Sequence, residues 1–192
     1  MELEPLQGPA VWRSRELLER DDWLHEPGAD ELEELLNWLN RASIQGDTVK
    51  LAAACPRFAS RLQRIQDSLE NGCGAAMIRG IRIGGRDADL LRSLFLAVAH
   101  EIGTPLSQSA DGDLIFSVQN AGFADDDPRA RGPYSRLKLS FHTDRCDVIG
   151  FLCIRQARAG GENQLVSSAA LFNDILHRRT DLLNVLMQPF YY

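Results

Sequence analysis

His142-Thr143-Asp144, set within Leu139-Ser140-Phe141-His142-Thr143-Asp144-Arg145, is the group whose residue types and spacing are best suited to chemistry. On an extended strand residues i and i+2 point to the same face, so an imidazole and a carboxylate converge on one spot. Such a pair supplies two ligands of a 2-His-1-carboxylate site, where iron(II) keeps its remaining positions open for a chelating cosubstrate and oxygen. The triplet alone has low specificity. With four histidines and 27 acidic residues in 192, roughly half of one such pair arises by chance.

The other candidate ligands read more plainly. His177, in Leu176-His177-Arg178-Arg179, and His100, just before Gly103, fall at expected helix C-termini, where a cationic or polar side chain suits the helix dipole. His25, beside Pro27-Gly28, reads as solvated. Cys146 continues the period-2 series of His142 and Asp144, but Asp147 marks a strand already turning, and thiolate is not the ligand this chemistry expects. Asp125-Asp126-Asp127 reads as a solvated run rather than a metal cluster. No GxSxG elbow, phosphate-loop Lys-Ser/Thr or paired zinc-ribbon cysteines occur, which removes the corresponding hydrolase, nucleotide and zinc readings.

Helices dominate the elements expected around this group. Leucines recur at three- and four-residue spacing from Ser14 to Asn40, with Pro27-Gly28 dividing them into two short amphipathic helices. Phe58, Leu62, Ile65 and Leu69 predict a third helix, stopped at Asn71-Gly72. Ala75–Arg79 reads as a strand and Asp87–His100 as a helix that ends at Gly103-Thr104-Pro105. Beyond Pro105, Leu114–Gln119, Leu137–Phe141, Val148–Ile154 and Gln164–Ser167 read as strands. Residues 120–136 read as a long polar loop, placed as a lid beside the site. Ala169–Leu176 and Asp181–Met187 predict two last helices, before an extended Gln188–Tyr192. The expectation is one α+β chain: an N-terminal helical region, residues 1–72, and a sheet-bearing region, residues 73–192. The tryptophans Trp12, Trp23 and Trp38 suit packing in the helical part.

Length and charge narrow the partners. At about 150 residues per domain, 192 residues make one elaborated domain with a real core. Residues 1–40 carry eleven acids against three arginines, which leaves sixteen acids and eighteen bases for the remainder. No basic stripe marks a nucleic-acid surface, and no apolar run is long enough for a membrane. The start MELEPLQGP lacks a signal-peptide pattern and the four cysteines lack CxxC spacing, so reduced thiols in the cytoplasm are expected. Oligomeric state is not encoded legibly.

The ordered series from about residue 70 onward is more specific than any one motif. It comprises a Gly-rich strand, a helix ending in Gly103-Thr104-Pro105, the His142-Thr143-Asp144 element, the Gly160-Gly161-Glu162-Asn163 turn and the Ser167-Ser168 helix start. This series resembles the taurine dioxygenase-like (TauD/TfdA) family of iron(II)- and 2-oxoglutarate-dependent oxygenases. The resemblance implies a partial double-stranded β-helix, or jelly roll, preceded by helices, with His142 and Asp144 as the first two iron ligands. It also implies a small-molecule substrate hydroxylated with molecular oxygen as 2-oxoglutarate is oxidatively decarboxylated. At Asn163 the family commonly has a Thr or Ser whose hydroxyl binds 2-oxoglutarate; an amide can also donate there. The family's distal histidine, and the arginine that pairs with the far carboxylate of 2-oxoglutarate, correspond to positions beyond Tyr192. The chain alone is therefore expected to be inactive. The alternative is a non-catalytic binding module that keeps part of the oxygenase scaffold, and a downstream His and Arg in the reading frame would separate the two.

Overall fold

The computed structural model describes residues 3–45, 50–119, 122 and 138–190. Its elements, in chain order, are α1 (Ser14–Leu18), β1 (Leu24–His25), α2 (Ala29–Gln45), α3 (Leu51–Ala54), α4 (Pro56–Asn71), β2 (Met77–Ile78), α5 (Ala88–Ile102), α6 (Ser168–Arg178) and α7 (Thr180–Leu186).

Each long helix starts where its backbone donors find an acceptor. The Glu31 carboxylate accepts the Gly28 N–H at 2.6 Å in the first turn of α2. Pro56 opens α4, where its missing N–H costs nothing. Asp87 accepts from the N–H groups of Asp89 and Leu90 at the head of α5. Ser167 does the same for Ala170 at α6. The apolar stripes then face one another: Leu35, Trp38 and Leu39 of α2 meet Phe58, Leu62 and Ile65 of α4 and Leu94 of α5, with Leu51 and Cys55 closing the cluster. Leu39, Phe58 and Leu62 are fully enclosed, and each such side chain contributes about 1.5–3 kcal/mol by leaving water. A second cluster holds Trp12, Leu17, Cys73 and Ala75, with the Trp12 indole N–H donating to the Cys73 carbonyl at 2.8 Å.

β1 and β2 form a parallel pair with Leu24 opposite Met77 and His25 opposite Ile78. The N–H of Met77 donates to Trp23 O at 2.7 Å, and that of Arg79 donates to His25 O at 3.0 Å. This pair is the sheet found among the described residues. None of the described residues in the expected strands 114–119, 137–141, 148–154 and 164–167 joins a ladder. The described residues therefore do not by themselves build a jelly roll. The reason is visible in their apolar side chains: Val118, Phe141, Phe151 and Leu165 stand largely in solvent, and Leu114 and Phe116 remain exposed to a lesser degree. Alternation marks the faces to be buried, but a strand is stable only with a ladder partner and a covering layer.

Two of these segments touch α5. The Arg92 guanidinium donates to the Ser117 hydroxyl at 2.6 Å. Gly150 lies against the ring of Phe95 so closely that an added Cβ would stand 3.4 Å from its Cζ. The stretch bearing the His-Thr-Asp triplet thus lies between two points, one sequence-proximal to each end, at which the chain touches one helix. The expected lid, residues 120–136, lies outside the described residues apart from Gly122.

Candidate functional site

The structure brings His142 and Asp144 together, although by a route other than strand geometry. Residues 138–144 form an irregular stretch, within which His142 Nε2 stands 4.0 Å from Asp144 Oδ1. The other ring nitrogen, Nδ1, lies 2.7 Å from the carbonyl oxygen of Ser140. A carbonyl can only accept, so Nδ1 carries the proton and, in the neutral ring, Nε2 keeps its lone pair. That lone pair is on the nitrogen facing the carboxylate. Metal-ligating histidines are commonly oriented in this way, with the far N–H on a backbone carbonyl fixing the tautomer.

The donor set is therefore chemically suited to a divalent first-row ion. Two cis ligands with bonds of about 2.1 Å sit about 3 Å apart, so closing the present separation by about 1 Å is a rotamer-scale adjustment. Both side chains are more than half exposed, at 54% and 56%, and no third His, Cys, Asp or Glu joins them among the described residues. The pair lies on an open surface. A cleft of about 580 Å³ between the head of α2 and α4 is lined by Gly28, Asp30, Glu31, Arg57, Ser60 and Arg64, none of them a candidate residue.

Gly160 and Gly161 both have positive φ, +78° and +79°, backbone that suits glycine, but neither lies in a turn or bend; the local bend falls at Arg158-Ala159 rather than at the glycine pair expected to turn before Asn163. Asn163 itself is exposed, four residues ahead of the capping Ser167. His100 and His177 are exposed in the last turns of α5 and α6, the end-of-helix placements expected of them. Cys146 is half-buried.

His25 corrects the sequence expectation of a solvated ring. Its Nε2 is buried without a hydrogen-bond partner among the described residues, because pairing of β1 with β2 draws the residue inward. Burial, followed by the Arg61 and Arg64 guanidinium groups, lowers its pKa, and Asp22 opposes them. No local signal in the sequence reveals this, since a two-residue strand carries no readable period.

Comparison with known proteins then decides the family. Residues 24–192 match the Taurine catabolism dioxygenase TauD, TfdA family. The chain belongs to the TauD/TfdA family. It is similar to "FR-33289 synthase" of Streptomyces rubellomurinus (strain ATCC 31215), with 26% identity over 187 residues, 95% of this chain and 55% of that protein. It is also similar to "Taurine hydroxylase-like protein SAT17" of Stachybotrys chartarum (strain CBS 109288 / IBT 7711), with 24% identity over 140 residues, 69% of this chain and 36% of that protein. This TauD/TfdA chain thus spans about half the length of the first relative and about a third of the second. The family implies a jelly-roll fold, whereas the described residues of the second half carry the apolar alternation of strands without joining a ladder. No helix among the described residues is long and apolar enough to cross a membrane.

Proposed function

We propose that this chain supplies the first two iron ligands, His142 and Asp144, of an iron(II)- and 2-oxoglutarate-dependent oxygenase that hydroxylates a small molecule. The observation that supports this reading most is the Ser140 carbonyl on His142 Nδ1, which leaves Nε2 available beside the Asp144 carboxylate. When bound, iron(II) would supply oxygen activation. Overall, one oxygen atom of O2 enters a C–H bond of the substrate, and the other enters succinate as 2-oxoglutarate loses carbon dioxide. The chain's own residues have simpler tasks. Ser140 holds the imidazole in one tautomer, Asp144 supplies the anionic donor, and the Asn163 amide would donate a hydrogen bond to the cosubstrate, the role the family resemblance implies for this position.

Among the described residues no third ligand joins the pair, and we place the second histidine and the 2-oxoglutarate arginine outside residues 1–192. Without that guanidinium the far carboxylate of 2-oxoglutarate lacks a charge-assisted, bidentate partner. A non-catalytic binding module is the second reading, favoured by the solvent exposure of both ligands. Succinate release from 2-oxoglutarate with iron(II) and ascorbate tests the proposal. Residues 1–192 alone are expected to give almost none, with or without His142→Ala. In a reading frame that continues through a downstream His and Arg, turnover should be robust and abolished by His142→Ala. Turnover that survives this substitution in the longer protein overturns the assignment.

A further inference from the structure

The α6–α7 hairpin is held in an unusual way. Among the described elements α6 and α7 pack on each other and on no other helix or strand. Leu183 is buried and Phe172, Ile175 and Leu176 are half-buried, whereas Leu171, Leu182, Val185 and Leu186 are about half exposed.

Polar contacts to one short non-helical stretch, residues 6–13, which turns where the Val11 N–H donates to Gly8 O at 3.1 Å, hold the pair. The Asn173 side chain grips the backbone of Leu6 at two points: its Oδ1 accepts the Leu6 N–H at 2.8 Å and its Nδ2 donates to the Leu6 carbonyl at 2.9 Å. This amide reproduces the paired donor and acceptor of a β-ladder partner. The Ser167 hydroxyl donates to the Ala10 carbonyl at 2.6 Å while accepting from Ala170 N, and Ser167 is buried. Arg13 and Asp174 form an ion pair at 2.7 Å. The same stretch is rooted in the core at its other end. Trp12 is buried and donates to Cys73 O, and Pro9 O accepts from the Arg20 guanidinium at 2.8 Å.

We propose that residues 6–13 are a strap, rooted at Trp12 and latched at Asn173, that docks the α6–α7 hairpin on the helical core. Because Ser167 is both the cap of α6 and a strap contact, the strap also fixes where the chain arriving from Asn163 enters the helix. The Leu6–Asn173 contacts at the free end are solvent-exposed, whereas Ser167–Ala10 is part-buried, so the strap can open from Leu6 inward without unfolding the core cluster around Phe58. Nothing in this inference depends on the oxygenase reading, and its failure would leave that reading untouched.

Hydrogen exchange with mass-spectrometric readout on the 192-residue protein tests it. Asn173→Ala should speed exchange of the α6 amides by roughly tenfold, the scale of one or two lost net hydrogen bonds, and leave α4 and α5 unchanged. Deleting residues 1–8 should do at least as much. Asn173→Asp keeps the acceptor for Leu6 N–H and loses the donor, so its effect should fall between wild type and alanine. Arg13→Ala, at an exposed side chain that does not endanger folding, should give a smaller acceleration, about twofold, confined to α6 and α7. Unchanged α6 protection in the deletion would overturn the proposal, as would acceleration spread equally over α4 and α5.

Discussion

Replacing Glu31 by Gln should destabilise the chain by about 3 kcal/mol, far more than an ordinary surface charge change. Glu31 is 8% exposed and its carboxylate takes three hydrogen bonds: Arg61 Nε at 2.8 Å, Arg61 Nη2 at 2.6 Å and Gly28 N–H at 2.6 Å. An amide at the same place can keep one or two acceptor contacts, but it leaves the half-buried Arg61 guanidinium without a counter-charge, beside Arg64 and His25. Breaking one side of such a pair costs about 3–5 kcal/mol when deeply buried, and the modest residual exposure here puts the cost at the lower end. In a chain of this size that is a fall in Tm of roughly 6–12 °C. The double variant Glu31→Gln/Arg61→Leu should recover part of the loss, because no charge then remains unpaired. The pH dependence has a definite sign. Hydrogen bonding from Arg61, then the Gly28 N–H, holds the Glu31 pKa below its ordinary value against the effect of burial. A depressed folded pKa means the stabilisation is complete above the ordinary glutamate range and is lost as pH falls through the folded value. Urea denaturation from pH 7 down to pH 3 should therefore show wild type and Glu31→Gln converging in acid. A single-variant cost under about 0.5 kcal/mol at pH 7, or a gap that persists unchanged to pH 3, would refute the reasoning.

Phe58→Ala, at a fully buried position in the main cluster, should cost about 3–5 kcal/mol in equilibrium denaturation, through lost burial plus the cavity left behind. The lowered folded pKa of His25 means that the unfolded state binds more protons below about pH 6.5, so stability should fall as pH drops from that value toward the folded one. His25→Phe should flatten this part of the urea-midpoint profile. The Cys55 thiol is pushed up to about 11, by burial first and then Glu34, and Cys73 is also buried. A thiol reagent at pH 8 should therefore label Cys153 quickly and leave Cys55 and Cys73 protected until denaturant is added.

The helices were legible because their code is local. Leu35, Trp38 and Leu39 repeat at three and four residues, Asp87 and Ser167 mark helix starts, and Asn71-Gly72 and Gly103 mark stops. The four-residue α3 and the two-residue β1 are too short to show a period. The strands expected after Pro105 fail for a different reason. Alternation at Leu114, Phe116 and Val118 records which side chains want cover, whereas the ladder partner is a non-local property that no stretch of sequence states. The convergence of His142 and Asp144 was readable from their spacing, although it arises on an irregular stretch rather than a strand. The tautomer set by Ser140 O was not readable, since it depends on a backbone carbonyl whose direction only the folded chain fixes. Burial of His25 likewise follows from a parallel pairing across more than fifty residues of chain.

The central claim is that His142 and Asp144 are metal ligands, and titration of the 192-residue protein with iron(II) under anaerobic conditions tests it most directly. The account predicts weak, single-site binding that falls by about tenfold or more in His142→Ala and again in Asp144→Ala, while His100→Ala and His177→Ala bind as the wild type does. Equal affinity in the wild type and His142→Ala, or a loss produced by His100→Ala or His177→Ala instead, would contradict it.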